Sequence, residues 1–177
     1  GRDEPGLTTG PAGTGQRETR FEKECEEKVG AMSFNILIVD DSNAMRSVIR
    51  KIISMSGFRV DSCFEAGNGR EALSVLSSNW VDVILSDINM PEMNGLEFLE
   101  TVRSHDLYHH IPVIMVSTEG STDRIQEAFE NGARGFIKKP FLPEDIRKVL
   151  YQVVGCQEDG EYGGNAENPS DSEEVDF

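Results

Sequence analysis

Four short apolar runs in this chain each end in a polar residue of a reactive kind. Ile36-Leu37-Ile38-Val39 leads into Asp40-Asp41, Val83-Ile84-Leu85 into Ser86-Asp87, Val113-Ile114-Met115-Val116 into Ser117, and Phe136-Ile137 into Lys138-Lys139. Short, continuous, β-rich runs of this kind read as strands covered on both faces, which points to a parallel sheet. In open α/β sheets, ligands bind at the carboxyl ends of the strands. The pattern therefore sends three carboxylates, a hydroxyl and an ammonium group to one edge of one sheet.

Between these runs the apolar period becomes helical. Ser42 stands where an N-cap belongs. Met45, Val48, Ile49, Ile52 and Ile53 then mark one helix face, closed by Gly57. A second strand is expected within Phe58–Phe64, before Ala66-Gly67-Asn68-Gly69, and a second helix over Arg70–Ser78. Val81–Ser86 reads as the third strand. Pro91 and Gly95 bracket a turn, and Leu96, Leu99 and Val102 space a third helix. Pro112–Val116 reads as a strand, Thr122–Glu130 as a helix stopped by Asn131-Gly132, and Gly135–Lys138 as the last strand. Pro143 opens the final helix at a favoured first position, with Ile146, Val149, Leu150, Val153 and Val154 on its apolar face. Five β–α repeats predict an α/β fold: a doubly wound five-stranded parallel sheet with helices on both faces, large enough to bury its own core.

The ends of the chain differ from this middle. Of 177 residues with net charge −15, residues 1–32 hold five basic and seven acidic groups, 33–156 twelve and seventeen, and 157–177 none and eight. Gly1–Gly15 is rich in Gly, Thr and Pro and nearly free of apolar side chains, so 1–32 reads as a disordered or engineered leader. Within it, Phe21, Cys25 and Val29 form one weak helical stripe, expected to be a solvated, marginal helix. Residues 157–177 read as a disordered acidic tail, which leaves 33–156 as the domain. The absence of a basic stripe argues against nucleic acid or an anionic membrane surface as partner. No run approaches the ~20 apolar residues that cross a bilayer. No secretory leader is visible, and a cytoplasmic protein is expected. Cys25, Cys63 and Cys156 are odd in number and dispersed, so they read as free thiols rather than a disulfide framework or a zinc site. His105, His109 and His110 fall in a polar loop and read as solvated.

No G-x-x-x-x-G-K-[ST] motif occurs, and no G-x-G-x-x-G follows the first strand, so the phosphate cradles of nucleotide-binding folds are missing. The acidic loop after that strand would repel a phosphate unless a cation stood in front of it. Mg2+ takes one or two carboxylates, keeps waters and accepts a phosphate oxygen. Asp41 and Asp87 fit as its ligands, with Asp40 holding a coordinated water. A phosphoryl group at such a metal needs its charge neutralised on other sides, for which Lys139 and Ser117 are placed. Neither Cys nor His ends a strand, so the nucleophile is expected to be a carboxylate. Asp87 is the better choice because the third strand is central, between the first and the fourth.

Taken together, Val39-Asp40-Asp41-Ser42, the run from Ser86-Asp87 to Asn94-Gly95, Pro112 to Ser117, and Gly135 to Phe141 resemble the motifs of response-regulator receiver domains of the chemotaxis, CheY-like kind. The resemblance spans Phe34 to about Val154. It implies a flavodoxin-like strand order 2-1-3-4-5, Mg2+ as cofactor, and an Asp that accepts a phosphoryl group from a histidine kinase. By position Asp87 is the acceptor, Asp40 and Asp41 are the acidic pair, the Asn89 main-chain carbonyl completes the metal shell, Ser117 is the switch hydroxyl and Lys139 the reading lysine. The Lys139-Pro140 bond is cis in the family, which would aim the ammonium inward. Four departures stand out. Ser117 replaces a common Thr, Thr118 a common Ala or Gly, and Phe136 the Tyr of chemotaxis members. The segment Asp61–Phe64 is about two residues longer than in compact members of the family. Asn89 and Glu119 agree with chemotaxis members and, with Thr118, would tune access to the acyl phosphate.

The same resemblance implies a switch. Phosphorylation adds roughly −1.5 to −2 charges. Hydrogen bonds to it from Ser117 and Lys139 would contribute about 1.5–3 kcal/mol each. Ser117 would move inward and Phe136 turn into the vacated space, adding about 1.5–3 kcal/mol for a fully buried Phe. These reach the order of the ~5.5 kcal/mol that inverts a 1:99 equilibrium. An output partner is expected on the face of the fourth helix, fifth strand and fifth helix, at Arg124, Glu127, Phe136 and Lys138. The reading is a single-domain, monomeric signalling switch in chemotaxis or motility rather than an enzyme. A phosphorelay or other two-component receiver is the alternative. A haloacid-dehalogenase-like phosphohydrolase also pairs an Asp nucleophile with Mg2+, but it wants a second Asp where Asn89 stands. An inactive receiver sits poorly with five competent site residues.

Overall fold

Alternate residues of β1 (Phe34–Val39) feed two different cores, because successive side chains on a strand point to opposite faces. The computed structural model describes residues 32–118 and 120–154, together with Lys23 and Glu27. The Phe21, Cys25 and Val29 stripe, Glu119, Cys156 and the tail 157–177 lie outside the described residues.

The remaining strands are β2 (Val60–Ala66), β3 (Val83–Ser86), β4 (Val113–Ser117) and β5 (Gly135–Lys138). The helices are α1 (Asn43–Ser56), α2 (Gly69–Ser78), α3 (Gly95–Ser104), α4 (Thr122–Glu130) and α5 (Pro143–Val154). All strand pairings are parallel, in the order β2-β1-β3-β4-β5, as the sequence led us to expect. On one face, Ile36, Ile38, Val83, Leu85, Ile114 and Val116 pack under α1 and α5 through Ile49, Ile53, Ile146 and Leu150. On the other, Leu37, Val39, Ile84, Val113 and Met115 pack under α2, α3 and α4 through Ala72, Leu76, Leu99, Val102 and Ala128. Each central strand is thus covered on both sides, which is why its sequence runs apolar without alternation.

Helix starts line the carboxyl edge and are capped there by side chains. Ser42 Oγ accepts from the Met45 amide at 3.2 Å, Asn68 Oδ1 from Glu71 at 2.9 Å, Asn94 Oδ1 from Glu97 at 2.9 Å and Ser121 Oγ from Arg124 at 3.4 Å. At the opposite edge α1 ends on Gly57, whose φ of 81° is left-handed.

Three boundaries differ from the sequence reading, each for a physical reason. The second strand starts at Val60, inside the expected Phe58–Phe64, but runs on to Ala66, because Glu65 and Ala66 pair with Ile38 and Val39; Phe58 belongs to the core without belonging to the sheet, its ring stacking on Phe34 at 5.1 Å and meeting Tyr151 edge-on at 5.7 Å. β3 begins at Val83 rather than Val81; Val81 is buried before the ladder starts. β4 runs from Val113 to Ser117, since Pro112 has no N–H to give and only its carbonyl serves, accepting from Ile84 at 3.0 Å. The over-long segment of β2 contains a bulge: Phe34 pairs with Val60 and Asn35 with Ser62, leaving Asp61 as the extra residue. Cys63 is a free, half-buried thiol, and burial pushes its pKa up.

Candidate functional site

The end of β1 delivers Asp40 into the protein and Asp41 into solvent. Asp40 is 2% exposed, and its polar groups are saturated. Its main-chain N–H donates to the Ala66 carbonyl at 3.0 Å, its Oδ1 accepts from the Ser42 amide at 2.9 Å, and its Oδ2 accepts from Lys139 Nζ at 2.8 Å. Arg46, one turn into α1, donates from Nη1 to the Asp40 carbonyl.

Neighbouring β3 delivers Asp87, whose amide donates to the Val39 carbonyl at 2.8 Å and so ties the two strand ends together. Asp87 Oδ1 accepts from the Ile88 amide at 2.7 Å, and Oδ2 lies 3.5 Å from Lys139 Nζ. Burial pushes the Asp87 carboxyl above its ordinary range. Lys139 pulls it back, Asp40 pushes it further up, the Ile88 and Asn89 amides pull it down, and burial prevails. The turn after Asp87 closes only on glycine: the Gly95 amide donates to Ile88 at 2.7 Å, and a Cβ at Gly95 would stand 1.9 Å from the Asp87 carbonyl oxygen.

Asp40, Asp41 and Asp87 each offer a carboxylate oxygen within 4.8 Å of the others. Lys139 faces two of them. Three carboxylates against this one ammonium leave an excess of two negative charges, on oxygen donors only and open to solvent at Asp41. That is the donor set and charge of a small hard divalent cation, and the residues fit Mg2+.

Lys139 is held in turn by the fourth strand, since its amide donates to the Ser117 carbonyl at 2.9 Å. Ser117 is fully buried at the end of β4, and the Lys139-Pro140 bond is cis. Thr118 and Asn89 are exposed on the loops that follow β4 and β3. Phe136 lies apart from the acidic group and is already partly buried against the core beneath α2, α3 and α4. Any further turn inward therefore gains less than full burial of a Phe. Nearby, Lys138 is exposed, with its side chain against Gly120, and Arg124 pairs with Glu127 at 3.5 Å on the surface of α4.

The structure thus assembles Asp40, Asp41, Asp87 and Lys139 into one cluster and links Ser117 to it through the backbone. Sequence reasoning missed two supporting residues. Gly95 was read only as a turn bracket, although its place after Asp87 leaves no room for a Cβ. Arg46 left one signal: a cation in the first turns of a helix that follows two acids. No helix among the described residues is long and apolar enough to cross a membrane.

Comparison with known proteins bears on the same residues. The family model of the response regulator receiver domain matches residues 36–151. The CheY homolog of Campylobacter jejuni is 40% identical over 121 residues, 68% of this chain and 92% of that protein. Chemotaxis protein CheY1 of Helicobacter pylori is 38% identical over 124 residues, 70% of this chain and 98% of that one. Among solved structures, Vibrio cholerae CheY4 superposes with a TM-score of 0.62 at 38% identity, covering 70% of this chain and 100% of its own. With the strand order and the acidic edge described above, these matches place the chain in the response-regulator receiver family, where it resembles the CheY chemotaxis regulators.

Proposed function

We propose that this protein is a phosphorylation switch in which Asp87 accepts a phosphoryl group from a histidine kinase and the change alters binding of an output protein, in chemotaxis or motility. One observation carries the reading: three carboxylates converge within 4.8 Å, a buried lysine faces two of them, and the carboxyl pushed up by burial is the one at the central strand. Asp40, Asp41 and Asp87, with the Asn89 carbonyl, would hold Mg2+, which when bound neutralises charge on the incoming phosphoryl oxygens. Asp87 is held in place by the Ile88 amide on one oxygen and faced by Lys139 on the other. After transfer, Lys139 is free to shift from Asp87 toward the new phosphoryl oxygens while Asp40 retains it. Ser117 supplies a hydroxyl from β4, and Phe136 carries the change to the surface of α4, β5 and α5, where Arg124, Glu127 and Lys138 stand. Thr118 and Asn89, with Glu119 by the family resemblance, would tune how fast donors and water reach Asp87.

The test uses Mg2+ and a small acyl-phosphate donor. A single adduct, stable in acid and labile in base, is expected on the wild type and absent from Asp87→Asn. An adduct of equal yield on Asp87→Asn overturns the assignment. Comparing pull-downs of beryllofluoride-activated and unactivated protein tests the output half. Ser117→Ala should accept the phosphoryl group yet lose the activated pattern, and keeping that pattern overturns the role given to Ser117.

A further inference from the structure

The acidic pair sits on a loop, and a loop alone does not hold two carboxylates to the tolerance a metal site needs. We infer that Arg46 is a positioning residue for the metal site, forking across the β1–α1 loop and anchoring it to the end of β2. The inference rests on the reading of Asp40, Asp41 and Asp87 as the Mg2+ site.

The geometry is that of a clamp with three points of attachment. Arg46 Nη1 donates to the Asp40 main-chain carbonyl and Nη2 to Asn43 Oδ1, so one planar group spans the loop from its first acid to the start of α1. Arg46 Nε meets Glu65 Oε1 at 3.3 Å, and Glu65, next to the last residue of β2, is itself held through Oε2 by Arg50 Nη1 at 3.3 Å. The Arg46 side chain is 14% exposed, so these are partly desolvated contacts rather than a loose surface pair. Asp40 then has every polar group engaged: its N–H by Ala66, Oδ1 by Ser42, Oδ2 by Lys139 and its carbonyl by Arg46. Of these partners, only Arg46 reaches the Asp40 carbonyl with a side chain. Without it, that carbonyl belongs to a buried residue and lacks a donor among the contacts seen here. The peptide plane it belongs to is also the one that aims Asp41. Lysine cannot substitute, because an ammonium on a flexible stem offers no rigid fork.

The charge of Arg46 would act in the opposite direction, since a cation beside an acidic site weakens binding of another cation. Arg46→Lys separates the two effects by keeping the charge and removing the fork. Mg2+ binding is followed by amide chemical shifts of the unphosphorylated protein. The half-saturating Mg2+ for phosphorylation and the thermal midpoint without metal are measured alongside. Arg46→Lys should raise the Mg2+ Kd about tenfold, the lower end of the effect of losing an outer-shell partner. Its phosphorylation rate at saturating Mg2+ should stay within about twofold of wild type, a split that a merely structural anchor would not produce. Glu65→Gln keeps the shape of the anchor and removes its charge, and should move the Kd the same way by a smaller factor than Arg46→Lys. A lowered thermal midpoint with an unchanged or tighter Mg2+ Kd in both variants overturns the clamp. If the wild type itself shows no Mg2+-dependent shifts, the metal-site reading falls and the clamp with it; a normal wild-type response with the same Kd in both variants removes the clamp alone.

Discussion

β3 is flanked by two aspartates, one just before the strand and one just after it, both half-buried, and their surroundings differ completely. Asp82, at the amino edge, has each carboxylate oxygen taken by a neutral donor: the Asn35 amide at 2.7 Å and Trp80 Nε1 at 3.0 Å. Its own amide donates to the Asn35 carbonyl at 2.9 Å, closing a local brace between β1 and β3. Asp87, at the carboxyl edge, shares its space with two further carboxylates and leans on a lysine that is nearer to Asp40. Burial alone does not make a reactive carboxylate. What distinguishes Asp87 is that its neighbours leave negative charge uncompensated, so the site suits a cation, whereas Asp82 is complete without one.

The sharpest way to break this comparison is to exchange chemistry for structure at the two ends. Asp87→Asn should reduce phosphoryl incorporation to background, read by mass spectrometry after treatment with an acyl phosphate and Mg2+. Asp82→Ala should leave incorporation within about twofold and cost about 1–3 kcal/mol of stability, because it strands the part-buried Asn35 amide, whereas the exposed Trp80 indole N–H turns to water. Comparable losses of incorporation in both would erase the distinction. Next in size, Lys139→Ala leaves the buried Asp40 carboxylate without its cation and should cost about 3–5 kcal/mol in metal-free urea denaturation. Mg2+ at 100 times its Kd should return about 2.7 kcal/mol by mass action. A variant as stable as wild type without metal would mean that Lys139 does not hold the cluster together. Gly95→Ala follows: its Cβ would fall 1.9 Å from the Asp87 carbonyl oxygen, a main-chain atom that cannot swing aside. About 3 kcal/mol of destabilisation is expected, with slower phosphorylation as Asp87 is displaced. A neutral effect on both would show that the turn has slack.

Much of this contrast was legible in the sequence, and the reasons are physical. Apolar runs ending in Asp40-Asp41, Asp87, Ser117 and Lys139 announce strands, and a parallel sheet sends all those ends to one edge, so the cluster could be read without coordinates, while the order 2-1-3-4-5 came from the resemblance to receiver domains. Phe58 and Val81 misled because burial and strand membership are different properties: both are in the core and neither is in the ladder. The pairing of Lys139 with Asp40 rather than mainly with Asp87 depends on side-chain reach across four adjacent strand ends, from β5 past β4 and β3 to β1, which spacing does not encode. Arg46 escaped because its partners come from three places, the Asp40 backbone, Asn43 and Glu65, brought together only when β2 lies beside β1. Gly95 gave a turn signal but not its cause, since the close approach is to a carbonyl eight residues earlier.

The smallest effect tests the comparison through stability alone. Burial holds the Asp87 carboxyl above its ordinary range despite Lys139, so the folded state binds this proton more tightly than the unfolded chain does. Stability then falls as pH rises from the unfolded value, near ~3.9, through the raised folded value, and stays reduced above it. Asp87→Asn removes the charge with little change of shape, and Lys139 keeps its 2.8 Å partner Asp40. At pH 7 without metal the variant should therefore be more stable than wild type, by about 1 kcal/mol or ~4 °C in Tm for a domain of this size. The gain should shrink as pH is lowered and vanish below about pH 4, where wild-type Asp87 is protonated in both states. Mg2+ should reverse the ranking, because only the wild type presents all three carboxylates to it. Asp82→Asn offers the matching control: both Asp82 oxygens accept from donors and the amide nitrogen of Asn cannot, so the substitution should bring no gain. A gain at Asp82 equal to that at Asp87 would mean that the two aspartates feel the same field, and the contrast between the two edges would have to be abandoned.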